Sequence, residues 1–270
     1  MGRILILSSY VAASRVGGGA QALALARLGI EPILVPTVVF GRHPGHGAPG
    51  GTALETFEAV LGGVEAAGAF AGLDAVITGH FSSASQVAIA AEALGRVRAA
   101  SPGVRVIVDP IMGDADKGLY VREPVAEAIA AELVPSADIV APNAWELGRL
   151  TDRVVTDPAG AVAAARALGK PTLVSSVRTG GDIGVVFALA ADAWYARHAE
   201  ADAAPKGTGD LLTAVYAACV VQALGSGEAL AIAAGAAADA VALADGAEEL
   251  ALASFPTTLR RSAAVTVEAL

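Results

Sequence analysis

Short unbroken apolar runs alternate with longer alanine-rich stretches of helical period through most of this chain. Ile4–Leu7, Ile33–Val35, Ala75–Thr78, Val104–Val108, Ile139–Ala141 and Thr172–Ser175 are too short for helices and show no apolar/polar alternation. They predict strands buried on both faces. Between them, Ala20–Leu28, Leu54–Ala69, Ser83–Ala99, Val125–Leu133, Trp145–Leu150 and Pro158–Leu168 carry apolar residues at helical spacing. This rhythm predicts a three-layer α/β/α fold with a mostly parallel central sheet and right-handed crossovers. After Ser175 the rhythm changes. Ser176–Asp182, with its Gly180-Gly181 pair, predicts a loop, and Ile183–Ala190 with Ala193–His198 predicts an antiparallel edge hairpin turning at Ala191-Asp192. From Thr208 onward the pattern is almost wholly helical. Neither a repeat nor an interdomain linker breaks the pattern, so residues 1–270 are expected to form one domain.

The composition sharpens this picture. Apolar residues make up 54% of the chain and aromatics only 4%, which suits helices packed closely on a sheet and excludes a disordered chain. A formal net charge of −9 argues against a nucleic-acid or anionic-membrane partner. A bound phosphate would need local dipoles, a few cations and metal ions. The single cysteine, Cys219, lies inside an apolar helical pattern, so a disulfide framework is excluded and a buried thiol is expected. Met1-Gly2-Arg3 leads directly into a strand-like run without the shape of a signal peptide, and the apolar stretches Leu211–Leu224 and Ala229–Ala244 are short or interrupted. A cytoplasmic protein is the expectation.

In parallel sheets, ligands bind beyond the carboxyl ends of the strands. Polar residues gather there. Ser8-Ser9 follows the first strand, Thr37 to Gly47 the second and Gly79-His80 the third; Asp109-Pro-Ile-Met-Gly-Asp114 follows the fourth and Pro142-Asn-Ala-Trp-Glu146 the fifth. The long glycine-, proline- and histidine-rich loop Thr37–Thr52 is a further functional candidate. Near the C-terminus, Lys206-Gly207-Thr208-Gly209-Asp210 opens a helix. Glycines let the backbone turn N–H groups toward one point, and the first helical turn adds unpaired donors and a positive dipole end. Such a place holds an anion. A carboxylate beside it is repulsive unless it works as a general base on a hydroxyl that attacks the phosphate. The alternative is an ordinary helix cap, in which Asp210 satisfies N–H groups.

Asn143 and Glu146, three apart at a helix start, suit a magnesium ion held largely through water, with phosphate oxygens completing the shell. They equally fit a capping box. Asp109, at a strand end before proline, can orient a cation near a phosphate or simply close a turn. His43 and His46 lack the partners of a zinc site, so His43 reads as a loop residue hydrogen-bonding a substrate. Gly17-Gly18-Gly19 matches neither the dinucleotide nor the P-loop fingerprint.

Taken in order, Asp109-Pro-Ile-Met-Gly-Asp, Pro142-Asn-x-x-Glu146 and Gly207-Thr-Gly-Asp210 resemble the motifs of the pyridoxal kinases, members of the ribokinase-like superfamily. Thr37-Val-Val-Phe-Gly-Arg-His43, Ile77-Thr-Gly79 and Ser83-Ala-Ser-Gln86 are similar to further segments of that family, and the resemblance spans roughly Ile4 to Leu224. It implies ATP-dependent phosphorylation of the 5′-hydroxymethyl group of pyridoxal, pyridoxine or pyridoxamine. It implies Asp210 as catalytic base and Gly207, Thr208 and Gly209 as the anion hole. Asp109, Asn143 and Glu146 would serve ATP and Mg²⁺, with Glu146 reaching the metal through water. Ser9, Thr37, His43 and Gly45, with Asp210, would bind the substrate. The family often adds K⁺ and typically forms a homodimer.

The departures lie on the substrate side. Ala13 and Gly18 stand where relatives carry Tyr and Asn; Val39 replaces Gln, Gly41-Arg42 replaces Ser-Asn, Pro44 replaces Thr and His80 replaces Tyr. Ser175 stands where many relatives have Lys. Losing polar groups from a small ligand's pocket changes discrimination by orders of magnitude. Two alternatives therefore accompany the B6 reading. One is hydroxymethylpyrimidine kinase, a group that tends to place Cys at the position of Asp210. The other is a non-catalytic binder of a B6-like ligand on a degenerated kinase fold.

Overall fold

The structure, a computed structural model, describes residues 1–46 and 54–270. Its strands are β1 (Arg3–Val11), β2 (Glu31–Phe40), β3 (Ala75–Thr78), β4 (Arg105–Val108), β5 (Gly113–Asp114), β6 (Gly118–Leu119), β7 (Ile139–Val140), β8 (Thr172–Thr179), β9 (Asp182–Ala188), β10 (Ala193–Ala199) and β11 (Thr266–Ala269). The helices are α1 (Gly17–Arg27), α2 (Leu54–Ala66), α3 (Ala84–Ala100), α4 (Glu123–Ala128), α5 (Ala144–Thr151), α6 (Pro158–Leu168), α7 (Thr208–Val221) and α8 (Ser226–Ala244).

Among the described residues nine strands form one sheet in the order β11-β10-β9-β8-β7-β4-β3-β1-β2. From β2 to β8 every pairing is parallel, and β9, β10 and β11 extend the sheet antiparallel. Side chains on a strand alternate between faces, and β1 illustrates the result. Ile4 and Ile6 pack into the core beneath α1, α7 and α8, whereas Leu5 and Leu7 join Phe57, Leu61, Leu94 and Val97 of α2 and α3. A third cluster packs Leu147 of α5 and Ala161, Ala164 and Ala165 of α6 against Val174, Val186 and Tyr195. Three layers are the consequence.

Local chemistry sets the helix ends. Ser83 accepts from the Gln86 N–H at 3.3 Å to start α3, and Asp157 caps α6 ahead of Pro158, which closes on Gly169 at φ 72°. From Leu211 to Cys219 helix α7 is buried all round, and every residue there but Thr213 is apolar, because α1, α8 and the sheet enclose it. Helix α8 is long and apolar enough to cross a membrane by length and composition, but Leu230, Ala233 and Ala234 lie in the core. Cys219 is buried, and burial pushes its thiol up to about 12.

Three expectations need correction. Thr37 to Phe40 belongs to β2 rather than to a loop, since β1 and β2 run on past their apolar cores. Ser176 to Thr179 continues β8, and only Gly180-Gly181 turns into β9. This stretch passes a register shift after Val174 with Ser176 at φ 59°, and its exposed polar side chains hid the strand. The C-terminal part is not wholly helical, because β11 pairs with β10 as an edge strand whose residues are mostly exposed. The small ribbon β5–β6 follows Asp109 in a segment with no apolar run. Residues 47 to 52 of the expected Thr37–Thr52 loop lie outside the described residues.

Candidate active site

Helix α7 begins at the sheet edge where β1, β3, β4 and β7 end. Gly207 is its N-cap at φ 88°, and a Cβ there would sit far inside contact distance of the Arg15 carbonyl oxygen, so only glycine fits. The first intrahelical bond runs from the Leu211 N–H to the Gly207 carbonyl at 2.9 Å. The N–H groups of Thr208, Gly209 and Asp210 therefore precede the ladder and, with the positive dipole end, offer a cradle for an anion. Gly209 is exposed, with no atom within 4 Å of where its Cβ would stand. The Thr208 hydroxyl donates to the Pro205 carbonyl at 2.7 Å and fixes the turn.

Asp210 does not cap its own helix. Its Oδ2 accepts from the Gly17 N–H of α1 at 2.8 Å, and its Oδ1 is buried without a partner among the described residues. Burial raises its pKa to about 6, opposed only by the Gly17 bond. A carboxylate that titrates near neutrality with one oxygen uncommitted is suited to accept a proton.

Asn143 and Glu146 form the capping box and more. Asn143 Oδ1 accepts from the Glu146 N–H at 2.9 Å, and Glu146 Oε2 accepts from the Asn143 N–H at 2.9 Å. Glu146 Oε1 also takes the N–H groups of Met112 and Gly113 at 2.7 and 3.2 Å, while Asn143 Nδ2 donates to the Gly113 carbonyl at 2.7 Å. The pair thus pins the segment after β4. Burial lifts the Glu146 pKa to about 7 despite those N–H bonds. Asp109 is buried at the end of β4, and its Oδ2 accepts from the Thr213 hydroxyl of α7 at 2.8 Å. Burial first, then the charges of Glu146 and Asp210, push its pKa well above the usual carboxylate range.

A buried Asp109 whose proton affinity is raised further by the charges of Glu146 and Asp210 fits a nearby cation. Among the described residues no group of three or more His, Cys, Asp or Glu can hold a metal directly. With Glu146 committed to N–H groups, a Mg²⁺ would be held there through water and phosphate oxygens.

On the other side of Asp210, Ser9 is buried at a register shift in β1, with Gly17 pressed so close that a Cβ would come within 2.5 Å of the Ser9 hydroxyl. Thr37 is fully buried, and its hydroxyl is committed to the His80 carbonyl at 2.6 Å. Its own carbonyl accepts from Gln86. It therefore braces the turn after β3. Burial lowers the His80 pKa to about 4, leaving a neutral ring 3.3 Å from the Ser82 hydroxyl. His43 is half-buried and its Nδ1 accepts from the Gly45 N–H at 3.0 Å.

Sequence reasoning missed two parts of this constellation. One is Thr213, which shares a helix face with Asp210 at three residues' spacing. The other is Glu249, which takes the Ser14 hydroxyl and the Arg15 N–H at 2.6 Å each. Glu249 locks the segment that abuts Gly207, from a place in the sequence with no motif around it.

The family model described as phosphomethylpyrimidine kinase matches residues 56–250. The pyridoxine/pyridoxal/pyridoxamine kinase of Bordetella avium is 39% identical over 78% of this chain and 75% of that one. The chain belongs to the pyridoxal kinase family. The pyridoxal kinase of Leifsonia xyli subsp. xyli is similar, at 34% identity over 82% of this chain and 81% of its own. The fold is that of the pyridoxal kinase from Leishmania donovani in complex with ADP and pyridoxamine, with a TM-score of 0.92, 24% identity and complete coverage of both chains. In this pyridoxal kinase family member the glycine turn and its aspartate stand where β1, β4 and α7 converge.

Proposed function

We propose that this chain transfers the γ-phosphoryl group of ATP to the 5′-hydroxymethyl oxygen of a B6 vitamer. Asp210 acts as general base, and the N–H groups of Thr208 and Gly209 after the Gly207 turn receive the transferring group. The observation that carries the reading is the Asp210 carboxylate. It turns away from its own helix, is held on one oxygen by Gly17, and keeps Oδ1 unpartnered beside N–H donors free of the helical ladder. As the acceptor oxygen attacks, its proton passes to Asp210, and the dipole end of α7 meets the charge that develops.

ATP would lie over Asp109, Asn143 and Glu146, the last holding Mg²⁺ through water; bound there, the ion would neutralise phosphate charge. Ser9, His43 and Gly45 would face the ring, with Thr37 supporting them through the His80 turn. Residues 1–270 would act as one domain, in a cytoplasmic homodimer, with K⁺ as an additional ion.

A second reading has the family model's own description behind it, a phosphomethylpyrimidine kinase. The replaced ring-side residues Ala13, Gly18, Val39, Pro44 and His80 leave room for it. ADP release measured over pyridoxal, pyridoxine, pyridoxamine and hydroxymethylpyrimidine separates the two. Turnover highest with a B6 vitamer is expected. Turnover confined to the pyrimidine would favour the second reading, and tight ligand binding without turnover would make the chain a binder.

A further inference from the structure

Gln21 is out of character in α1. It is fully buried, and neither its amide oxygen nor its amide nitrogen has a partner among the described residues. The other buried positions of that helix are Gly17, Gly18, Ala20, Ala24 and Leu25. Burying an unpaired amide is costly, so an alanine-rich helix retains one only where it serves something. Gln21 lies four residues, about one turn, after Gly17, and helical side chains lean toward the helix N-terminus. A side chain leaning that way runs toward the glycine turn, where Gly17 and Gly18 present no side chain.

The same turn holds Asp210. The Gly17 N–H meets Oδ2 at 2.8 Å, leaving Oδ1 buried and unpartnered. Two unpartnered groups of complementary chemistry, an amide donor on α1 and a carboxylate acceptor on α7, thus belong to the two helices that the Gly17–Asp210 bond joins. The charged groups around Asp210 are Asp109 at the end of β4, with Glu146 of α5 behind it, and Lys206 before α7, which pairs with Glu248. Arg15, whose N–H is held by Glu249, precedes α1. None of these supplies a donor to Oδ1 among the described residues.

We propose that Gln21 is a positioning residue for Asp210, its amide N–H reaching Oδ1 through one buried water. A carboxylate oxygen has two acceptor sites. That water occupies one and leaves the other for the acceptor hydroxyl, keeping the carboxylate anionic and correctly turned. The inference rests on Asp210 acting as base in the proposed reaction.

The test is the pH profile of kcat/KM for Gln21→Met, which keeps the volume, and Gln21→Ala, which suits the helix, each also in an Asp210→Asn background. Removing a donor to the charged form raises a carboxyl pKa. The acid limb should move up by about one pH unit in both variants, with KM for ATP unchanged. In the Asp210→Asn background neither substitution should change the residual rate more than about twofold. An unmoved limb in both variants, or the same fold-loss in both backgrounds, overturns the role of Gln21. If Asp210→Asn alone retains full activity, the assignment of Asp210 as base and this inference fall together. If it collapses while the limb stays put, only the inference falls.

Discussion

Gly207→Ala and Gly209→Ala place the same methyl group two residues apart and should fail in different ways. At Gly207 the backbone is left-handed, at φ 88°, which costs a residue with a Cβ about 1–2 kcal/mol. The new Cβ also collides with the Arg15 carbonyl oxygen. That carbonyl cannot retreat freely, because Glu249 grips the Arg15 N–H and the Ser14 hydroxyl at 2.6 Å each. Overpacking of this kind adds about 1–3 kcal/mol. The total of about 2–5 kcal/mol should lower Tm by about 5–15 °C, and the displaced turn should reduce kcat by about 10²-fold, as loss of one preorganised donor does. At Gly209 the Cβ would stand in open space inside a helix, where alanine is favoured over glycine by up to about 1 kcal/mol. Stability should hold or rise, while the methyl group blocks the approach of the phosphoryl group and turnover falls. Thermal melts and steady-state kinetics on both variants decide the matter. Wild-type Tm and kcat in Gly207→Ala, or wild-type kcat in Gly209→Ala, would refute the anion-hole geometry.

Two further outcomes follow from the buried carboxylates. Thr213→Val removes the donor to Asp109 Oδ2 and should cost about 1–3 kcal/mol in denaturant unfolding, with the KM for ATP raised. Asp210→Asn should stabilise the protein at pH 8. The folded pKa of about 6 stands above the ordinary aspartate value of 3.8, so the folded state binds more protons and wild-type stability declines as pH rises from about 4 through 6. Melts of both proteins should converge near pH 4 and diverge toward pH 8 with the variant higher; the opposite order would contradict the burial of Asp210.

The sequence carried the parallel strands well because β1, β3 and β4 are buried on both faces and read as plain apolar runs. It did not carry β11, whose Thr266–Ala269 is mostly exposed, or the end of β8, where polar side chains sit on a bulged strand. The phosphate end of the site was legible because its parts are local: glycines with an aspartate at a helix start, and an Asn–Glu pair three residues apart. Local pattern could not say whether Asp210 caps its helix or turns outward; the Gly17 N–H, 193 positions away, decides that. It could not reveal Glu249, whose partner Ser14 lies 235 positions earlier. It also set Thr37 among ligand-facing residues, whereas its hydroxyl is spent on the His80 carbonyl. Hydroxyl direction is a tertiary property.

In the proposed reaction Asp210 takes the proton of the attacking hydroxyl. Single-turnover phosphoryl transfer from ATP to pyridoxal, in wild type and Asp210→Asn with ATP affinity measured alongside, tests it most directly. The variant's rate should be lower by about 10²–10⁴ with ATP affinity within about twofold of wild type, since Asp210 faces Gly17 rather than the Asn143–Glu146 end. An undiminished rate would contradict it.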